Sequence, residues 1–401
     1  MLPNLSKEKQ RAPRKNFSTQ HIRKDYGRQE HEGKHLMKTK TRGKEIEASS
    51  PSGKLWNKIK TRSAHPAAPI KPPHRKGLMI RTDFSKVERL LLVYPENMRE
   101  GQYDYHVLAP FYDELIALVP EDIHVIVFVT SRRTGDRLKE VRDNLEYVVH
   151  ESLSTIWLRD VAGFNCGDRI VKPTFRPQYY RGAFRRAHRI DRNMECISAI
   201  LGKDLYRIPL CWDGGNLVTN GTVGVVTERL LRDNPSFSLE TICGLIREHL
   251  RIEPLLVPEL QGDSLAHSDG YLAFLNERTV LVSEYLETVS AKDRVYVDRL
   301  TEMLSSTGFQ IERIKENPIP VSRSPDPAKT SIPSARGIYV NYLQLNETFI
   351  VPEYSFDYPC EGVDYNEANR SFLSRFGQVK TINSDALAHL GGVLHCISFT
   401  D

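Results

Sequence analysis

The fold class of this chain is decided by three consecutive segments, VERLLLVYP (87–95), YHVLAPFYDELIALV (105–119) and IHVIVFV (123–129). The first and third are short, continuous apolar runs bounded by polar residues, which predicts buried strands. The second spaces its apolar residues as one face of a helix does. A strand, a helix and a strand in this order are typical of an α/β fold.

The same alternation continues to the end of the chain. Further predicted strands are GVVTERLL (224–231), TVLVSEY (279–285) and TFIVPEY (348–354), and further predicted helices are RVYVDRLTEMLSST (294–307) and NEANRSFLSRF (366–376). Strand–helix units recur roughly every 50–70 residues without a strict sequence repeat. We therefore predict an α/β body without a separate all-helical domain.

The net charge of +5 over 401 residues hides two parts of opposite charge. Residues 1–76 hold 20 Lys and Arg against 6 Asp and Glu, whereas residues 77–401 hold 36 against 45. The basic part has few periodic apolar residues, so it cannot bury enough surface to offset its ordering entropy. We predict a disordered basic arm and linker over 1–76, including the Pro-rich stretch HPAAPIKPPH (65–74), and a catalytic domain over 77–401.

Two interpretations of the basic arm stay open. A solvated tail is the simpler one, because charged segments of this kind are usually solvated. The alternative is weak binding of an anionic partner, either nucleic acid or a membrane surface.

Several classes of protein are disfavoured by the sequence. No run of about 18 or more apolar residues is present, so no membrane-spanning helix is predicted, and the first residues lack the apolar segment of a secretory signal. The six cysteines form no CxxC pair, which argues against a disulfide framework or a structural zinc. We expect a cytoplasmic protein in which one cysteine is available for catalysis.

Four short segments place polar residues beside glycines or aromatic residues at the ends of apolar runs, where active sites of α/β folds gather. They are IWLRD (156–160), CWDGGNLVTNG (211–221), SLAHSDGYLAF (264–274) and HLGGVLHCISFTD (389–401). Each has a plain structural interpretation when taken alone: a surface ion pair beside a core tryptophan, a glycine turn, a satisfied buried histidine and an inert core cysteine. No single segment therefore assigns a function.

Two positional arguments apply within these segments. His267 and Asp269 lie two residues apart, and on a strand such residues point to the same face, so their side chains would share one wall of a pocket. The same geometry puts His395 and Cys396 on opposite faces, which predicts a structural role for His395.

The order of the four segments, WxRD, GGN, HxD and GGxxHC, resembles that of the guanidino-group-modifying superfamily, closest to agmatine deiminases and the bacterial type of peptidyl-arginine deiminase. The resemblance covers roughly residues 80–401. The segment IYVNYLQLNETFIVPEY (338–354) also resembles a family segment. Two departures, RDVAGF where the family commonly carries RDxGP and Ala266 where it usually carries glycine, bear on the substrate more than on the chemistry.

The resemblance implies a five-bladed α/β propeller, a pentein-like fold, with the site at its centre. It implies hydrolysis of a guanidinium group with release of ammonia, and it requires neither a metal ion nor an organic cofactor. The residues that it implies are Cys396, His267, Asp160 and Asp269 as catalytic residues and Trp157, Asn216, Asn341, Gly215 and Gly392 as substrate-binding residues.

These residue types suit the chemistry of a guanidinium, which is a planar cation with N–H donors in fixed directions. Two carboxylates, Asp160 and Asp269, would each accept parallel N–H bonds and hold the cation in register. Cys396 would attack the central carbon as a thiolate, and His267 would move the protons that let ammonia leave and water enter.

The substrates that the resemblance favours are, in order, agmatine giving N-carbamoylputrescine, arginine at a peptide terminus, and free arginine giving citrulline. Four alternatives stay open: amidino transfer to an amine through the same intermediate, a cysteine protease, a metal site built from His267, Asp269 and Cys396, and a silent family member whose arm binds nucleic acid. An oligomer is expected only from the general frequency of dimers.

Overall fold

The computed structural model describes residues 79–96, 105–153, 155–318, 333–355 and 362–401. The predicted basic arm over 1–76, with its Pro-rich linker, lies outside these residues. In the described part of the chain, no helix is long and apolar enough to cross a membrane.

The described strands form five separate sheets, one with four strands and four with three. The strands are β1 Arg89–Val93, β2 His124–Val129, β3 Leu145–Val149, β4 Phe164–Cys166, β5 Arg169–Thr174, β6 Asp204–Cys211, β7 Val218–Thr219, β8 Val223–Thr227, β9 Glu253–Val257, β10 Leu272–Phe274, β11 Thr279–Tyr285, β12 Gln310–Glu316, β13 Leu343–Leu345, β14 Thr348–Glu353, β15 Gln378–Asn383 and β16 Ser398–Thr400.

All five sheets follow one pattern. In each three-stranded sheet, the first strand pairs antiparallel with the second, and the second pairs parallel with the third. The four-stranded sheet has the order β16-β1-β2-β3, and β16 pairs antiparallel with β1, with Leu90 opposite Thr400. The last strand of the chain thus takes the place that an early strand takes in the other sheets. The α/β prediction is confirmed, and the number of sheets equals the five blades that the resemblance implies.

The helices connect the parallel strands or precede the turns that carry the candidate residues. Those in the described residues are α1 Tyr105–Leu118, α2 Arg132–Val141, α3 Leu158–Ala162, α4 Phe184–Asn193, α5 Cys196–Leu201, α6 Arg229–Asp233, α7 Leu239–Leu250, α8 Ala291–Ser306, α9 Tyr365–Leu373 and α10 Asp385–Ala388. Several begin at a side-chain cap, as α8 does at Ser290, whose hydroxyl accepts a hydrogen bond from the Asp293 amide. The three predicted helices correspond to α1, α8 and α9.

One strand prediction was too long. The run GVVTERLL (224–231) is a strand only to the end of β8 at Thr227, and α6 begins at Arg229. The β-branched residues end at Thr227, and the Arg229 guanidinium then donates to Asp233 four residues later, a spacing that stabilises a helical turn.

The central strands are continuous apolar runs because both of their faces are buried. Leu90 and Leu92 of β1 pack into one core cluster, while Leu91, between them, packs into a second cluster on the other face. In β11, Val280 and Leu281 likewise belong to different clusters. This explains why the strands lack the polar alternation of a half-exposed sheet.

Candidate active site

The four sequence segments converge at one point, which Gly215 marks. A Cβ added to Gly215 would lie 2.6 Å from His267 Nδ1, 2.8 Å from Asp160 Oδ1 and 3.3 Å from Asp269 Oδ1. Asp160 stands on α3, and Gly215 lies in a 3₁₀ turn, Gly214–Asn216. Because Gly215 has no side chain, three of the four predicted catalytic side chains can pack closely against its backbone.

Cys396 lies in the turn that precedes β16, half-buried, and lines the same two cavities as His267. Its Sγ is 3.4 Å from Asn341 Oδ1 and 3.9 Å from Asp269 Oδ2. Burial raises the pKa of the Cys396 thiol well above its usual range, and the charges of Asp269 and Asp160 raise it further. Without a cation in the pocket, Cys396 is a neutral thiol.

His267 is buried between two carboxylates. Its Nε2 lies 3.1 Å from Asp213 Oδ2, and its Nδ1 lies 3.6 Å from Asp160 Oδ1. Burial alone would lower the pKa of His267, but Asp160 and Asp213 outweigh burial and raise that pKa to about 10. At neutral pH, His267 is therefore an imidazolium, which can act as an acid.

The surroundings disfavour the charged form of Asp160, whereas they favour the charged form of His267. Burial raises its pKa, the His267 charge lowers it and the neighbouring Asp213 and Asp269 raise it, which leaves a pKa of about 7. Among the described residues, its Oδ1 has no hydrogen-bond partner. A buried carboxylate oxygen without a donor is costly, and the N–H groups of a bound guanidinium would remove that cost.

Hydrogen bonds from two parts of the chain hold helix α3, which carries Asp160. The buried ammonium of Lys172 donates to the Val161 carbonyl at 2.7 Å and to Asp191 at 2.8 Å. In the same helix, the Arg159 amide donates a hydrogen bond to the carbonyl of Cys396 at 3.1 Å. The WxRD and GGxxHC segments are therefore fixed to each other through the backbone.

The prediction that HxD lies on a strand was wrong. Ser268–Gly270 is a 3₁₀ turn, and His267 precedes it. His267 and Asp269 still face one pocket, because the turn rather than strand alternation directs both inward. Ala266, which stands where the family usually has glycine, has a φ of 50°, in the left-handed region that favours glycine.

The strand argument for His395 also failed, because His395 and Cys396 share a turn. His395 is buried, with Nδ1 2.8 Å from Asp269 Oδ2 and Nε2 3.1 Å from Asp83 Oδ1. Burial lowers the pKa of His395 and so does Arg159, but Asp83 and Asp269 raise it above its usual value. His395 thus belongs to the charged network of the site.

Sequence reasoning left three further residues out of the site. Asp213 contacts His267, and its own partner is Tyr179, whose hydroxyl donates to Asp213 Oδ2 at 2.8 Å. Asp83 contacts both His395 and Arg159, the latter at 3.2 Å. The position of Asp213, directly before two glycines, was a sequence signal for a site residue. Tyr179 and Asp83 lie outside every quoted segment.

The predicted substrate-binding residues divide into two groups. Trp157, Asn341 and Gly392 line cavities that reach Cys396. A Cβ on Gly392 would lie 2.5 Å from the Trp157 ring, so this glycine lets the indole close against the turn. Gly215 and Asn216 line neither cavity, and Asn216 Oδ1 instead accepts a hydrogen bond from the Thr227 amide at 2.9 Å.

Two cavities meet at Cys396 and His267. The larger, of ≈ 270 Å³, passes Asp269 and Asn341 and extends to Asp263 and Asp293. The smaller, of ≈ 180 Å³, passes Asp160 and is walled by four aromatic residues, Trp157, Phe175, Tyr179 and Tyr180. Within the described residues, no group of three or more His, Cys, Asp or Glu side chains is arranged to hold a metal ion. The arrangement suits a planar organic cation in contact with Cys396.

Comparison with known proteins agrees with this geometry. The family model of Porphyromonas-type peptidyl-arginine deiminases matches residues 79–400. Agmatine deiminase of C. jejuni has a similar fold, with a TM-score of 0.67 and 18% identity over 82% of this chain and 98% of that chain. Agmatine deiminase of Enterococcus faecalis gives a TM-score of 0.65 and 17% identity over 82% and 97%. Among curated protein sequences, none matches significantly. The match over residues 79–400 shows that the chain belongs to the Porphyromonas-type peptidyl-arginine deiminase family, whose name describes hydrolytic deimination of a guanidino group.

Proposed function

We propose that this protein hydrolyses a guanidinium group to a ureido group and ammonia through a covalent intermediate on Cys396. The observation that carries the proposal is the group of buried and half-buried carboxylates around a half-buried thiol, with the buried Asp160 Oδ1 atom lacking a hydrogen-bond donor among the described residues. Membership of the family supports deimination, and the geometry supports the roles that follow.

The charges of the site favour a cationic substrate. Four carboxylates, those of Asp83, Asp160, Asp213 and Asp269, form ion pairs in two separate groups: Asp160 and Asp213 contact His267, while Asp83 and Asp269 contact His395 and Asp83 also contacts Arg159. Three cations, His267, His395 and Arg159, face them in the same ion pairs. With every group ionised, the group around His395 is neutral and the group around His267 carries one negative charge, which a guanidinium beside Asp160 would offset.

The position of the cation follows from the two carboxylates that line different cavities. Asp160 lies on the smaller cavity and Asp269 on the larger one, and both approach the backbone of Gly215. A guanidinium held between them would place its carbon near Cys396 Sγ. Each charge-assisted hydrogen bond of this kind contributes about 1.5–3 kcal/mol.

Binding of the cation also activates the nucleophile. The pKa of Cys396 is raised by burial and by Asp269 and Asp160, and the guanidinium charge offsets both carboxylates. The Cys396 thiol then releases its proton to solvent, and its sulfur attacks the guanidinium carbon, forming a C–S bond and a tetrahedral adduct. Thiolate formation therefore coincides with substrate binding.

His267 supplies and removes the protons that the reaction needs. As an imidazolium, it donates a proton to one nitrogen of the adduct. The C–N bond then breaks, ammonia departs and a thiouronium remains on Cys396. The neutral imidazole then accepts a proton from water as the water attacks the same carbon. The C–S bond breaks, the thiol is restored and a ureido product is released. Asp213 and Asp160 stabilise the imidazolium form on either side.

The chemistry requires a reduced thiol, so we place the protein in a reducing compartment such as the cytoplasm. The described cysteines are all free. The test is an assay for ammonia and ureido product with purified protein offered agmatine, free arginine and a peptide containing arginine. Equal amounts of both products from at least one compound are expected. Turnover without ammonia would point to amidino transfer. No turnover of any of the three compounds by the folded protein would contradict hydrolysis.

A further inference from the structure

The segment 175–192 is strongly basic although it belongs to the acidic part of the chain. It contains six arginines, and the single acidic residue among these described positions is Asp191, which is 2% exposed. Asp191 is engaged with Lys172 and Arg207. The charge that this segment presents to solvent is therefore positive.

Helix α4 separates its apolar and basic residues by helical spacing. Ala187 and Ile190 are buried against the core, and the opposite side is exposed. We call this exposed side, together with two arginines from the preceding loop, the basic face of α4; it comprises Phe184, Arg185, His188, Arg189 and Arg192 of the helix and Arg176 and Arg181 of the loop. Phe184, 43% exposed, lies within this face, and the Arg176 guanidinium stacks 5.6 Å from the centre of its ring.

The basic face begins at the rim of the smaller cavity. Phe175, Tyr179 and Tyr180 line that cavity, and Arg176 and Arg181 are their immediate neighbours in the chain. Tyr179 also reaches the catalytic groups, since its hydroxyl donates to Asp213 and its ring centre lies 6.3 Å from that of His267. The basic face is therefore joined through the chain to the aromatic wall of the cavity.

We propose that the basic face of α4 binds acidic residues of a peptide whose arginine side chain occupies the cavity. The proposal rests on the deimination proposed above and names its substrate class as arginine flanked by Asp or Glu. A ten-residue helix is about 15 Å long, and an extended peptide covers about 3.3 Å per residue. The face therefore reaches acidic residues up to about four or five positions from the arginine.

A peptide fits these observations better than the other anionic partners. Agmatine is cationic and short, so it would fill the cavity without using the basic face. The arginines are continuous with a cavity shaped for a guanidinium, which a nucleic acid does not carry. Exposed ion pairs contribute little individually, so the effect depends on several arginines acting together and is weakened by salt.

The experiment compares two peptides of equal length, one with Glu on both sides of a single arginine and one with Gln at the same positions. The full-length protein is used, and agmatine is assayed in parallel to report on the catalytic site. At low salt, we expect kcat/KM to be about tenfold higher for the Glu peptide, and the ratio to approach one at about 0.5 M salt.

Charge-reversed variants assign the effect to the basic face. In Arg181→Glu/Arg185→Glu, the ratio of the two kcat/KM values should fall to one or below, and the ratio cancels any general loss of activity. The control is Arg278→Glu, an exposed charge reversal in the turn between β10 and β11. Because the arm over 1–76 is also basic and is present in every variant, a ratio that survives Arg181→Glu/Arg185→Glu would overturn the proposal.

The remaining outcomes are distinct. Equal kcat/KM for the two peptides, in a protein that turns over agmatine or either peptide, overturns the role of the basic face and leaves deimination standing. No turnover of any compound overturns the proposed function itself. Equal peptide rates together with salt-sensitive binding of a single-stranded RNA, lost in Arg181→Glu/Arg185→Glu, would make the face a nucleic-acid surface and overturn the peptide proposal.

Discussion

His395 Nδ1 lies 2.8 Å from Asp269 Oδ2, the same oxygen that is 3.9 Å from Cys396 Sγ. On its other side, His395 Nε2 lies 3.1 Å from Asp83. The histidine that directly precedes the proposed nucleophile therefore does not face away from the site. It holds the carboxylate that would receive the substrate, and Asp83 holds the histidine.

Two substitutions separate this positioning role from a packing role. Asn at position 395 puts an amide N–H where His395 carries Nδ1, and Gln puts one where it carries Nε2. We expect His395→Gln to lower kcat/KM by about 10- to 100-fold, because losing one hydrogen bond to a charged group costs about 1.5–3 kcal/mol. His395→Asn should retain most of the activity. Equal losses in both variants, with unchanged melting temperatures, would contradict a specific hold on Asp269.

Gly215→Ala tests whether the close packing of three predicted catalytic side chains against Gly215 sets their positions. The backbone of Gly215 does not need a positive φ, but the new Cβ would lie within 3.3 Å of His267, Asp160 and Asp269. Activity should fall by at least about 100-fold, since a misplacement of about 1 Å costs that much.

The matched control is Gly244→Ala in helix α7, where an added Cβ has nothing within 4 Å. It should leave activity unchanged and stabilise the helix by about 0.5–1 kcal/mol. Near-normal turnover by Gly215→Ala would show that this packing does not set the positions of the catalytic groups.

The buried carboxyl group of Glu316 predicts how the free energy of unfolding changes with pH. Its Oε1 accepts from the amides of Tyr339 and Val340, both at 2.6 Å, and burial raises its pKa to about 7. A carboxyl with a raised native pKa binds a proton in the folded state that the unfolded chain has released. Its contribution to the free energy of unfolding therefore falls as pH rises from about 4.5 to about 7.

Glu316→Gln keeps an acceptor for both amides and removes the titration. Chemical denaturation should show the variant about 1–3 kcal/mol more stable than the wild type at pH 8 and similar to it near pH 4.5. The same difference at both pH values would show that Glu316 does not titrate in this range.

The raised pKa of Cys396 predicts how the thiol reacts with small alkylating agents. Chloroacetamidine is a planar cation that resembles a guanidinium, whereas chloroacetamide is neutral and similar in size. The cation should inactivate the protein at least about 100-fold faster, because it binds the carboxylates and favours the thiolate. The preference should shrink in Asp269→Asn. Equal rates for both reagents would contradict activation of Cys396 by a bound cation.

The sequence predicted the elements that are set by local pattern. Continuous apolar runs such as that of β1 identify strands buried on both faces, and the order of the four segments identifies the family. The errors arose where a turn replaces a strand, at His267 and at His395, since strand alternation then gives the wrong direction. Asp83 and Tyr179 could not be found, because only the folded chain brings them beside residues far away in sequence.

The central claim is that Cys396 forms a covalent bond to the guanidinium carbon. The most direct measurement is mass spectrometry of the full-length protein quenched in acid during turnover, followed by mapping of the modified peptide. The account predicts a transient amidino adduct on Cys396 that decays as the ureido product appears, and no adduct or ammonia release with Cys396→Ser. Ammonia release by Cys396→Ser at a rate near that of the wild type would contradict it.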